Sequence, residues 1–444
     1  MADKYKHMGS LQINDEYIMG LGDADFAPAD KEEKANFIAE RKSISYWADA
    51  WRRLRKNTVA MVAAAVLILI FLFAFVGPVI VPYSYDEFNA GAENLHPWHY
   101  SLEDQARLAE ATQALDPDEA VEQARAEAEK AGKKLTPIEE AKIRAKAKAS
   151  GQITDEEGNI LSGDELNAYM IKKLGIKAKL GGYSNKELER MANGEKVCPH
   201  LFGTDRNGRD LMVRTMVGTR VSMIVGVFAA LLVLIIGAVY GSISGYCGGK
   251  VDAVMQRIVE VIYSIPEVLV ILLISMVMNE TLKGFVNANR GNVLAELVNL
   301  LGSNLIGMFI AFGLLYWVTM SRIIRGQIIQ LKEQEYVTAA RALGASGGRI
   351  IKRHLLPNCM GQIVVTTCLQ IPSAIFLESF LSFLGVGVSA PLASLGSMAS
   401  DALGGLYTYP YRLFFPAIIL SVMILSFNLF GDGLRDALDP RLKK

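Results

Sequence analysis

Residues 335–358, EYVTAARALGASGGRIIKRHLLPN, decide the fold class because of what they join. The stretch is basic and rich in small residues, and long apolar runs stand on both sides of it. The nine residues from Glu335 contain no helix breaker, and Gly344 follows where a helix end favours the left-handed conformation. Ser346 is placed to cap a second helix, which Pro357 would end. We therefore predict a rigid elbow of two short helices between two apolar segments.

Six segments of the chain are long and apolar enough to cross a bilayer. Of the 444 residues 51% are hydrophobic, yet five stretches of 19 to 29 residues carry no charge, and a sixth carries one Glu. A span needs about 20 apolar residues. The predicted spans are 58–82, 221–247, 261–279, 300–321, 359–384 and 413–431. The sequence thus predicts an all-α polytopic membrane protein, and a formal net charge of +0 gives no reason to expect a nucleic-acid partner.

The short loops differ in charge, and this difference predicts the orientation. One set carries nineteen Lys and Arg residues and the other set carries three. The positive-inside rule then places both termini and the elbow in the cytoplasm, and residues 83–218 mainly outside. Residues 1–57 are polar, so we expect no cleavable signal peptide and a first span that anchors the chain. Residues 43–58 are predicted either to form an amphipathic helix at the headgroups or to be a simple basic flank.

The segment at 83–200 is predicted to be an inserted, mostly helical module. Residues 101–196 hold 19 acidic and 16 basic side chains, and no window there could span a bilayer. The helix-start signals are Ser101 with Asp104, Asp116-Pro117, Thr136-Pro137, Ser162 with Glu165, and Ser184 with Glu187. Residues 153–161 suggest a small hairpin and 115–150 a loose helical pair. This part buries little apolar surface, so incomplete folding is an open alternative.

The module gives little reason to expect a metal or a disulfide. The run DEEGNILSGDEL lacks the spacing of a calcium-binding EF-hand loop. His96 and His99, with His200, are an alternative metal group, although two histidines in an irregular loop are more often polar surface. Cys198 is the one cysteine that clearly faces outside, so a disulfide framework there within one chain is excluded. We predict no metal site.

The first helix of the elbow has one face of small residues. At helical spacing Glu335, Ala339 and Ala342 share this face, and Ala340 lies beside it. Small side chains let a partner backbone approach closely. An elbow that lies on the bilayer is the alternative, and it fits the basic residues 349–353 but not the small face.

These features resemble the EAA motif of ABC-importer permeases, a coupling helix that docks on an ATP-binding subunit. Glu335, Ala339, Ala340 and Gly344 match the pattern, with three residues inserted as in the peptide subfamily, and 356–358 match its Leu-Pro-Asn ending. The matching GTDxxGRD stretch is Gly203, Thr204, Asp205, Gly208, Arg209 and Asp210. Further similar stretches are 252–266, 378–391 and 427–443. The chain thus resembles the C-type permease subunit of bacterial oligopeptide, dipeptide and nickel importers over about 45–85 and 198–444.

Two features depart from that resemblance. The family's Ser-Trp-Gly is Ser394-Leu395-Gly396 in this chain, which puts an outer-mouth contact in doubt. The module at about 90–197 is expected to be absent from typical members, so nothing can be carried over to it.

The resemblance implies the type I ABC importer permease fold in a bacterial plasma membrane. It implies a B-type permease partner, two ATP-binding subunits and an extracytoplasmic peptide-binding protein. ATP and Mg would be bound by those partners, and this chain would be non-catalytic; no GxxxxGK[ST] phosphate loop occurs in it. The residues implied in ATPase coupling are Glu335, Tyr336, Ala339, Ala340, Arg341, Gly344 and Ala345.

Oligopeptide import is the predicted function, with dipeptide or nickel transport as the alternative. An ion-driven secondary transporter would show inverted repeats, which the sequence lacks. A membrane-anchored structural protein would not need the elbow.

Two carboxylates inside predicted spans, and one proline, are candidates for the translocation path. Each charge is costly in the bilayer unless it is paired or wetted. Glu378 either lines the path or bridges helices, and the residues leave this open. Glu267 is more readily explained as a bridge, because it can reach the headgroups. Pro372 is predicted to kink the fifth span, with hydroxyls of Thr367 and Ser373 satisfying the freed backbone groups.

Overall fold

A computed structural model describes residues 45–112, 137, 140–142, 164–388 and 392–438. The chain divides into two compact units, residues 1–52 and 53–444. The first unit is described over 45–52, most of which form the start of α1 (Tyr46–Leu54). The predicted hairpin at 153–161 and the helix starts predicted at Asp116, Thr136 and Ser162 lie outside the described residues.

Six helical stretches of the described residues are long and apolar enough to cross a membrane, which confirms the predicted number of spans. In chain order the spanning helices are α2 (Thr58–Phe75), α7 (Leu211–Cys247), α9 (Glu267–Ala288), α11 (Ser303–Leu315) with α12 (Trp317–Leu331), α15 (Met360–Phe383) and α17 (Tyr411–Leu438). The other elements are α3 (Gly77–Ile80), β1 (Trp98–His99), α4 (Leu102–Thr112), α5 (Asp164–Leu174), β2 (Lys179–Leu180), α6 (Asn185–Ala192), α8 (Gly249–Tyr263), α10 (Val293–Leu301), α13 (Glu335–Ala342), α14 (Gly347–Ile350) and α16 (Leu395–Ala402).

The predicted third span at 261–279 has the wrong bounds. Helix α8 ends at Tyr263, and α9 begins at Glu267 after Pro266. Proline lacks an N–H and disfavours helical geometry in the residue before it, so it separates the two helices. At its other end α9 continues to Ala288, past an ion pair between Lys283 and Glu280 with an N–O distance of 3.2 Å. An apolar run alone therefore missed a proline break at one end and a polar helical extension at the other.

The remaining spans also differ from the predicted bounds, mostly by being longer. Helix α7 starts at Leu211, ten residues before the predicted 221, because Asp210 caps it through a hydrogen bond to the Val213 amide of 2.7 Å. Helix α2 stops at Phe75, short of the predicted 82, where Gly77 and Pro78 start the separate turn α3. The fourth span runs from Ser303 to Leu331 and the sixth from Tyr411 to Leu438.

The second helix of the elbow does not end at Pro357 as predicted. Helix α14 continues through a π-turn at Ile351–Leu355 and a 3-10 turn at Leu356–Cys359 into α15. Pro357 lies in the first turn of the 3-10 segment, where its missing N–H costs nothing. The elbow is thus a short helix, a break, and the start of the fifth span.

Helix α7 lies at the centre of the bundle, where it packs on α12, α15 and α2. Helices α9 and α11 form a pair, and α17 packs on α15 and α2. Three buried clusters hold the bundle together, and they include Ile328, Val337 and Ile350 in the first, Ile271, Met308 and Phe312 in the second, and Ile70, Ile375 and Met423 in the third. We call the end of the bundle that carries α13 the elbow end, and the end that carries residues 77–112, 164–212 and 392–412 the module end.

The described part of the predicted module is helical with a two-stranded ribbon. Strands β1 and β2 pair antiparallel, with Trp98 opposite Leu180 and His99 opposite Lys179. Helices α4 and α5 pack against each other. The Ser184 side chain and the Glu187 side chain form the predicted capping box of α6, and the Ser101 hydroxyl accepts from the Asp104 amide at 3.2 Å. Two of the predicted helix starts are therefore confirmed.

Candidate functional site

The first helix of the elbow, α13, is anchored on one side and exposed on the other. Val337 is fully buried and Ala340 is 9% exposed, and both belong to the cluster with Ile350 and Leu355. The opposite face of small residues is exposed, as its helical spacing predicts, and consists of Glu335, Ala339 and Ala342. The flanking apolar side chains Tyr336 and Leu343 are 40% and 88% exposed. A rigid helix thus offers a surface of small side chains.

Gly344 fixes the end of α13, as predicted. Its φ of +80° lies in the left-handed region, and a Cβ added there would meet nothing within 4 Å. The Ala345 amide donates to the Ala340 carbonyl, and the Gly344 amide to the Arg341 carbonyl, both at 3.0 Å. This is the Schellman pattern, which satisfies the last carbonyls of a helix. Ser346 has the backbone of a cap, but its side chain makes no capping hydrogen bond, so that part of the prediction is wrong.

An ion pair ties α8 to α12, the helix that leads into the elbow. The Arg325 guanidinium donates from Nε and from one terminal nitrogen to the two oxygens of Asp252, both at 2.6 Å. The Ser244 hydroxyl donates to the same carboxylate at 2.5 Å, and Lys332 donates to the Gly245 carbonyl at 3.0 Å. The Arg325 hydrogen bonds lower the pKa of the Asp252 carboxyl. Movement of α12 would therefore be passed to α8 and to the end of α7.

Arg325 is a residue that the sequence analysis missed. Asp252 was singled out by its resemblance to the family's second cytoplasmic loop, whereas Arg325 lies 73 residues away within a predicted basic loop. Arg257 and Glu260, from the same motif, form an exposed pair one turn apart. A basic residue next to the elbow was the only signal, and by itself it also fits a positive flank.

Glu378 lies in the centre of the packed bundle and is fully buried. Its carboxylate accepts hydrogen bonds from Ser222 at 2.8 Å, Ser382 at 2.7 Å and Ser379 at 3.2 Å. Ser222 belongs to α7 and Glu378 to α15, so the group joins two spans. This arrangement favours the interhelical bridge over the path-lining role, since the described partners of the carboxylate are hydroxyls of the chain itself.

Pro372 lies inside α15, in the part of the helix expected to bend. The hydroxyls predicted to compensate for it bond elsewhere. Ser373 donates to the Leu369 carbonyl at 3.4 Å and Thr367 donates to the Ile363 carbonyl at 2.8 Å. Neither reaches the Cys368 carbonyl, which is the group that a proline at 372 leaves without its helical donor.

Glu267 lies on the wall of a cavity of about 500 Å³ between α9, α12 and α15. Polar side chains share this wall with it, namely Tyr263, Tyr316, Thr319, Gln370 and Ser373. Glu267 is exposed, and it makes no hydrogen bond or ion pair with any residue that the structure describes. Glu378 thus joins two helices, a question that the sequence left open. Glu267 faces an open, polar space, whereas the sequence favoured a bridge for it.

The GTDRNGRD stretch forms a tight loop before α7 at the module end. Gly203 and Gly208 have φ of +77° and +71° and lie against the backbone of Leu95 and Asn89. Asp205 accepts from the amides of Asn207 and Arg209 at 2.8 and 3.0 Å.

The side chains of Thr204, Asp205 and Arg209 in the same loop bond within the chain. The Asp205 carboxylate pairs with Arg209 and Arg214, and the Thr204 hydroxyl donates to the Ala92 carbonyl. The Arg214 guanidinium holds the pKa of Asp205 below its usual range against the opposing effect of burial. The loop therefore joins segment 89–96 to α7 and α17, where Tyr411 donates to the Thr204 carbonyl at 3.2 Å.

A buried His200 connects the module to the same loop. Its Nδ1 lies 2.7 Å from an Asp210 oxygen and its Nε2 lies 3.4 Å from a Glu187 oxygen. Burial alone would lower the pKa of His200, but the two carboxylates raise it to about 9. Burial raises the pKa of Glu187, and the bonds from His200 and Ser184 outweigh this and lower it to about 2. At neutral pH the group is an imidazolium between two carboxylates.

The three histidines considered as a metal group have separate partners. His200 is held as described, His99 Nδ1 lies 2.7 Å from the Gly181 carbonyl, and His96 stacks on Trp98. Among the described residues, no group of three or more His, Cys, Asp or Glu side chains is arranged to hold a metal.

Residues Ser394-Leu395-Gly396, which replace the family's Ser-Trp-Gly, lie at the module end and are buried. Ser394 caps α16 in a capping box with Ser397. Leu395 is 1% exposed and joins the cluster with Ile375 and Met423. Leucine in place of the family's tryptophan is thus part of the core of this chain.

Two family models match separate segments of this chain. The family model described as "Binding-protein-dependent transport system inner membrane component" matches residues 237–444, and that of the "N-terminal TM domain of oligopeptide transport permease C" matches 45–97. The oligopeptide transport system permease protein OppC of Bacillus subtilis is 47% identical over 245 residues, which are 55% of this chain and 73% of the relative. OppC of Escherichia coli is 46% identical over 54% of this chain and 72% of the relative.

A dipeptide relative aligns over nearly the whole length of the chain. The dipeptide transport system permease protein DppC of Bacillus subtilis is 33% identical over 416 residues, 94% of this chain and 92% of the relative. The expectation that typical members lack the module at about 90–197 stays a prediction.

The matched segments coincide with the elements already described. The match at 45–97 covers α1 to α3 and the loop before β1. The match at 237–444 runs from the middle of α7 through the Asp252 pair, the elbow and the last span. Together with six spans and an exposed small face on α13, they leave no doubt about the assignment. The chain belongs to the inner-membrane permease components of binding-protein-dependent ABC transport systems, in the group that contains the OppC and DppC peptide permeases.

Proposed function

We propose that this chain is one half of the membrane channel of an ABC importer for oligopeptides. It pairs with a B-type permease, and two ATP-binding subunits, which hold ATP and Mg, dock on the elbow end. An extracytoplasmic peptide-binding protein delivers substrate at the module end. Both termini lie in the cytoplasm and residues 83–218 lie mainly outside. This chain itself carries out no catalysis.

The observation that carries the proposal is the form of α13. A helix that is anchored through Val337 and stopped by a Schellman turn has a fixed direction, and its exposed small face allows a close partner contact. Glu335, Tyr336, Ala339, Arg341 and Ala342 contribute to that exposed surface. The coupling then runs from α13 through α12 and the Arg325–Asp252 pair to α8 and α7, as one element with two positions.

Dipeptide import is the second candidate, and the coverage of the relatives supports it. The alignment with the dipeptide permease of Bacillus subtilis extends over 94% of this chain, whereas the oligopeptide permeases match about half of the chain at higher identity. The higher identity favours oligopeptides, and the longer coverage favours dipeptides. A peptide-length series decides between them.

The test is purification of the tagged chain from its native membrane, followed by identification of the chains that accompany it. We expect a second permease and an ATP-binding protein. The complex is then placed in vesicles with its binding protein, and ATP-dependent uptake of di-, tri- and pentapeptides is measured. Absence of any ATP-binding protein, or uptake that follows an ion gradient instead of ATP, would reject the proposal.

We propose that Glu267 and the segment around Pro372 line the translocation path. Glu378 does not line the path, and it holds α7 and α15 together. Glu267 and Ser373 both line the same cavity, and Ser373 follows Pro372 in the chain. Glu378→Gln should then be mild, because the amide oxygen still accepts from a serine and the amide nitrogen can donate to a serine hydroxyl that rotates. Glu378→Leu should impair assembly, since the hydroxyls of Ser222, Ser379 and Ser382 lose their shared acceptor. If Glu378→Gln assembles normally but changes the substrate preference, Glu378 lines the translocation path instead.

A further inference from the structure

The cavity beside Glu267 differs from the other polar clusters of the molecule in one respect. The carboxylates of Asp205, Asp252 and Glu378 are all met by donors from the chain itself. Glu267 meets none among the described residues, although it lies in the first turn of a spanning helix. An unpaired carboxylate in a spanning segment is costly, and one that faces a cavity marks a candidate site on a substrate or ion pathway.

The other walls of the cavity are suited to a peptide backbone. Thr319 on α12 and Gln370 on α15 offer a hydroxyl and an amide, and no hydrogen bond to another described residue occupies either side chain. Tyr263 and Tyr316 add aromatic rings with hydroxyl groups. Such a mixture of one charge, neutral donors and acceptors, and aromatic surface is typical of a small-molecule site.

The size of the cavity fits a short peptide better than a bare ion. Pockets that hold small organic molecules usually measure about 300–1,000 Å³, and this cavity measures about 500 Å³. A dehydrated metal ion would need several oxygen ligands close together. Glu267 is the one carboxylate among the residues that line the cavity, and the described residues contain no group of three metal-ligating side chains.

We infer that the cavity formed by α9, α12 and α15 is a peptide subsite, in which Glu267 binds a primary ammonium group of the substrate. Thr319 and Gln370 hydrogen-bond to the neighbouring peptide units, and the tyrosines cover the site. The inference rests on the proposed peptide import. The ammonium is either the α-amino group or a lysine side chain, and the peptides chosen for the test distinguish the two.

The test compares three peptides in vesicles that contain the complete complex and one constant binding protein. The peptides are tri-alanine, N-acetyl-tri-alanine, and N-acetyl-Ala-Lys-Ala. The readout is the ratio of ATP-dependent uptake of each ammonium-bearing peptide to that of N-acetyl-tri-alanine. Because the binding protein is the same in every arm, a change in ratio between variants arises in the permease.

We expect Glu267→Gln to lower the ratio for at least one of the two ammonium peptides about tenfold, the size of one lost charge pair in a partly dry site. The control is Glu280→Gln, which removes the same charge from the other end of α9, outside the cavity. It should change the ratio less than about twofold. A ratio in Glu267→Gln equal to that of the control overturns the inference.

A second variant covers the case in which Glu267→Gln fails to assemble. In the double variant Glu267→Gln with Gln370→Glu, the carboxylate moves from α9 to α15 within the lining of the same cavity, and the composition is unchanged. A ratio within about threefold of the wild type supports the subsite, and loss of the preference overturns it. If the wild-type complex imports none of the three peptides, the proposed peptide import itself fails. If the wild-type complex imports them and Glu267→Gln leaves the uptake ratios unchanged, only the subsite fails.

Discussion

The two ends of the bundle use their polar residues in opposite ways. At the module end, the GTDRNGRD loop and His200 form a buried network in which Asp205 and Asp210 meet donors from the same chain. At the elbow end, the Arg325–Asp252 pair lies behind the surface, and the face of α13 that carries Glu335 and Ala339 is left exposed. At the module end the carboxylates of Asp205 and Asp210 are met within the chain, and the elbow end offers a surface that another chain would complete. Variants at each end should therefore fail in different ways.

Glu335→Lys should have the largest effect and abolish ATP-driven uptake. Reversal of the charge in the first turn of α13 opposes the helix dipole and places a cation on the exposed face. Expression and thermal stability should stay near those of the wild type, because Glu335 makes no buried contact. Uptake into vesicles and ATPase stimulation are measured.

Glu296→Lys is the matched control for that variant. Glu296 is also exposed and also lies in the first turn of a helix, α10, away from the elbow. Its reversal should leave uptake within about twofold of the wild type. Equal loss in both variants, or normal uptake in Glu335→Lys, would remove the coupling role from α13.

Gly344→Val should come next, with loss of most ATPase stimulation. Since nothing lies within 4 Å of an added Cβ, the cost is backbone strain at φ +80°, of order 1–3 kcal/mol. The strain would redirect the chain from α13 into α14. Gly344→Asn is the control, because asparagine tolerates the left-handed region and should keep at least half of the stimulation. Equal damage from both substitutions would mean that side-chain size at a partner surface, not φ, sets the requirement.

The Arg325–Asp252 pair should show a smaller and non-additive effect. Arg325→Met or Asp252→Asn alone should reduce uptake several-fold, because the remaining group loses two charge-assisted hydrogen bonds. The double variant should be little worse than either, with a coupling energy of about 1–2 kcal/mol in thermal stability. The double-mutant cycle is measured on the purified complex. Additive losses would show that the pair does not act as one unit.

The His200 network predicts a modest pH dependence of stability at the module end. The pKa of His200 is raised to about 9, so its contribution is complete below the unfolded value near 6.5 and is lost as the pH rises through 9. The pKa of Glu187 is lowered to about 2, so its contribution is complete above about 4.5 and is lost as the pH falls toward 2. Stability of this region should be greatest between about pH 4.5 and 6.5.

The measurement is the thermal midpoint of the purified complex from pH 6 to 10. We expect a fall of a few degrees in the wild type, and His200→Gln should remove that slope and lower the midpoint at pH 6. A slope unchanged in His200→Gln would assign the alkaline loss to another group.

Excision of part of the module should have the smallest effect on the complex. Strands β1 and β2 pair antiparallel, so residue 100 can be joined to 178 by a short Gly/Asn turn that keeps Glu187 and His200. Assembly, basal ATPase activity and thermal midpoint should be unchanged. Stimulation by the loaded binding protein should fall, and added salt should weaken docking on the intact complex if charged faces meet there.

Each other outcome of the excision has a definite meaning. Unchanged stimulation and uptake would show that residues 101–177 are a tolerated insertion. Loss of assembly would make them structural. Removal of 100–195, which would also delete Glu187, is a poorer design because it takes away a partner of His200.

Local features were determined by the sequence alone. Apolar length predicted six spans, and Gly344, Ser101 and Ser184 marked helix ends that the structure confirms. These features depend on residues a few positions apart or on the thickness of a bilayer, so neighbouring residues contain the information. The predicted bounds of the third span were wrong because Pro266 breaks the helix within the apolar run.

Only the tertiary structure decided which distant groups meet. Glu378 bonds to Ser222, 156 residues away, and Asp252 bonds to Arg325, 73 residues away, whereas Glu267 meets no described partner. The sequence shows only that Glu378 and Glu267 each lie in a predicted span, where an unpaired charge is costly. Whether it is met by hydroxyls of a neighbouring helix or left facing a cavity depends on how the helices pack, and packing is fixed by contacts between segments far apart in the chain.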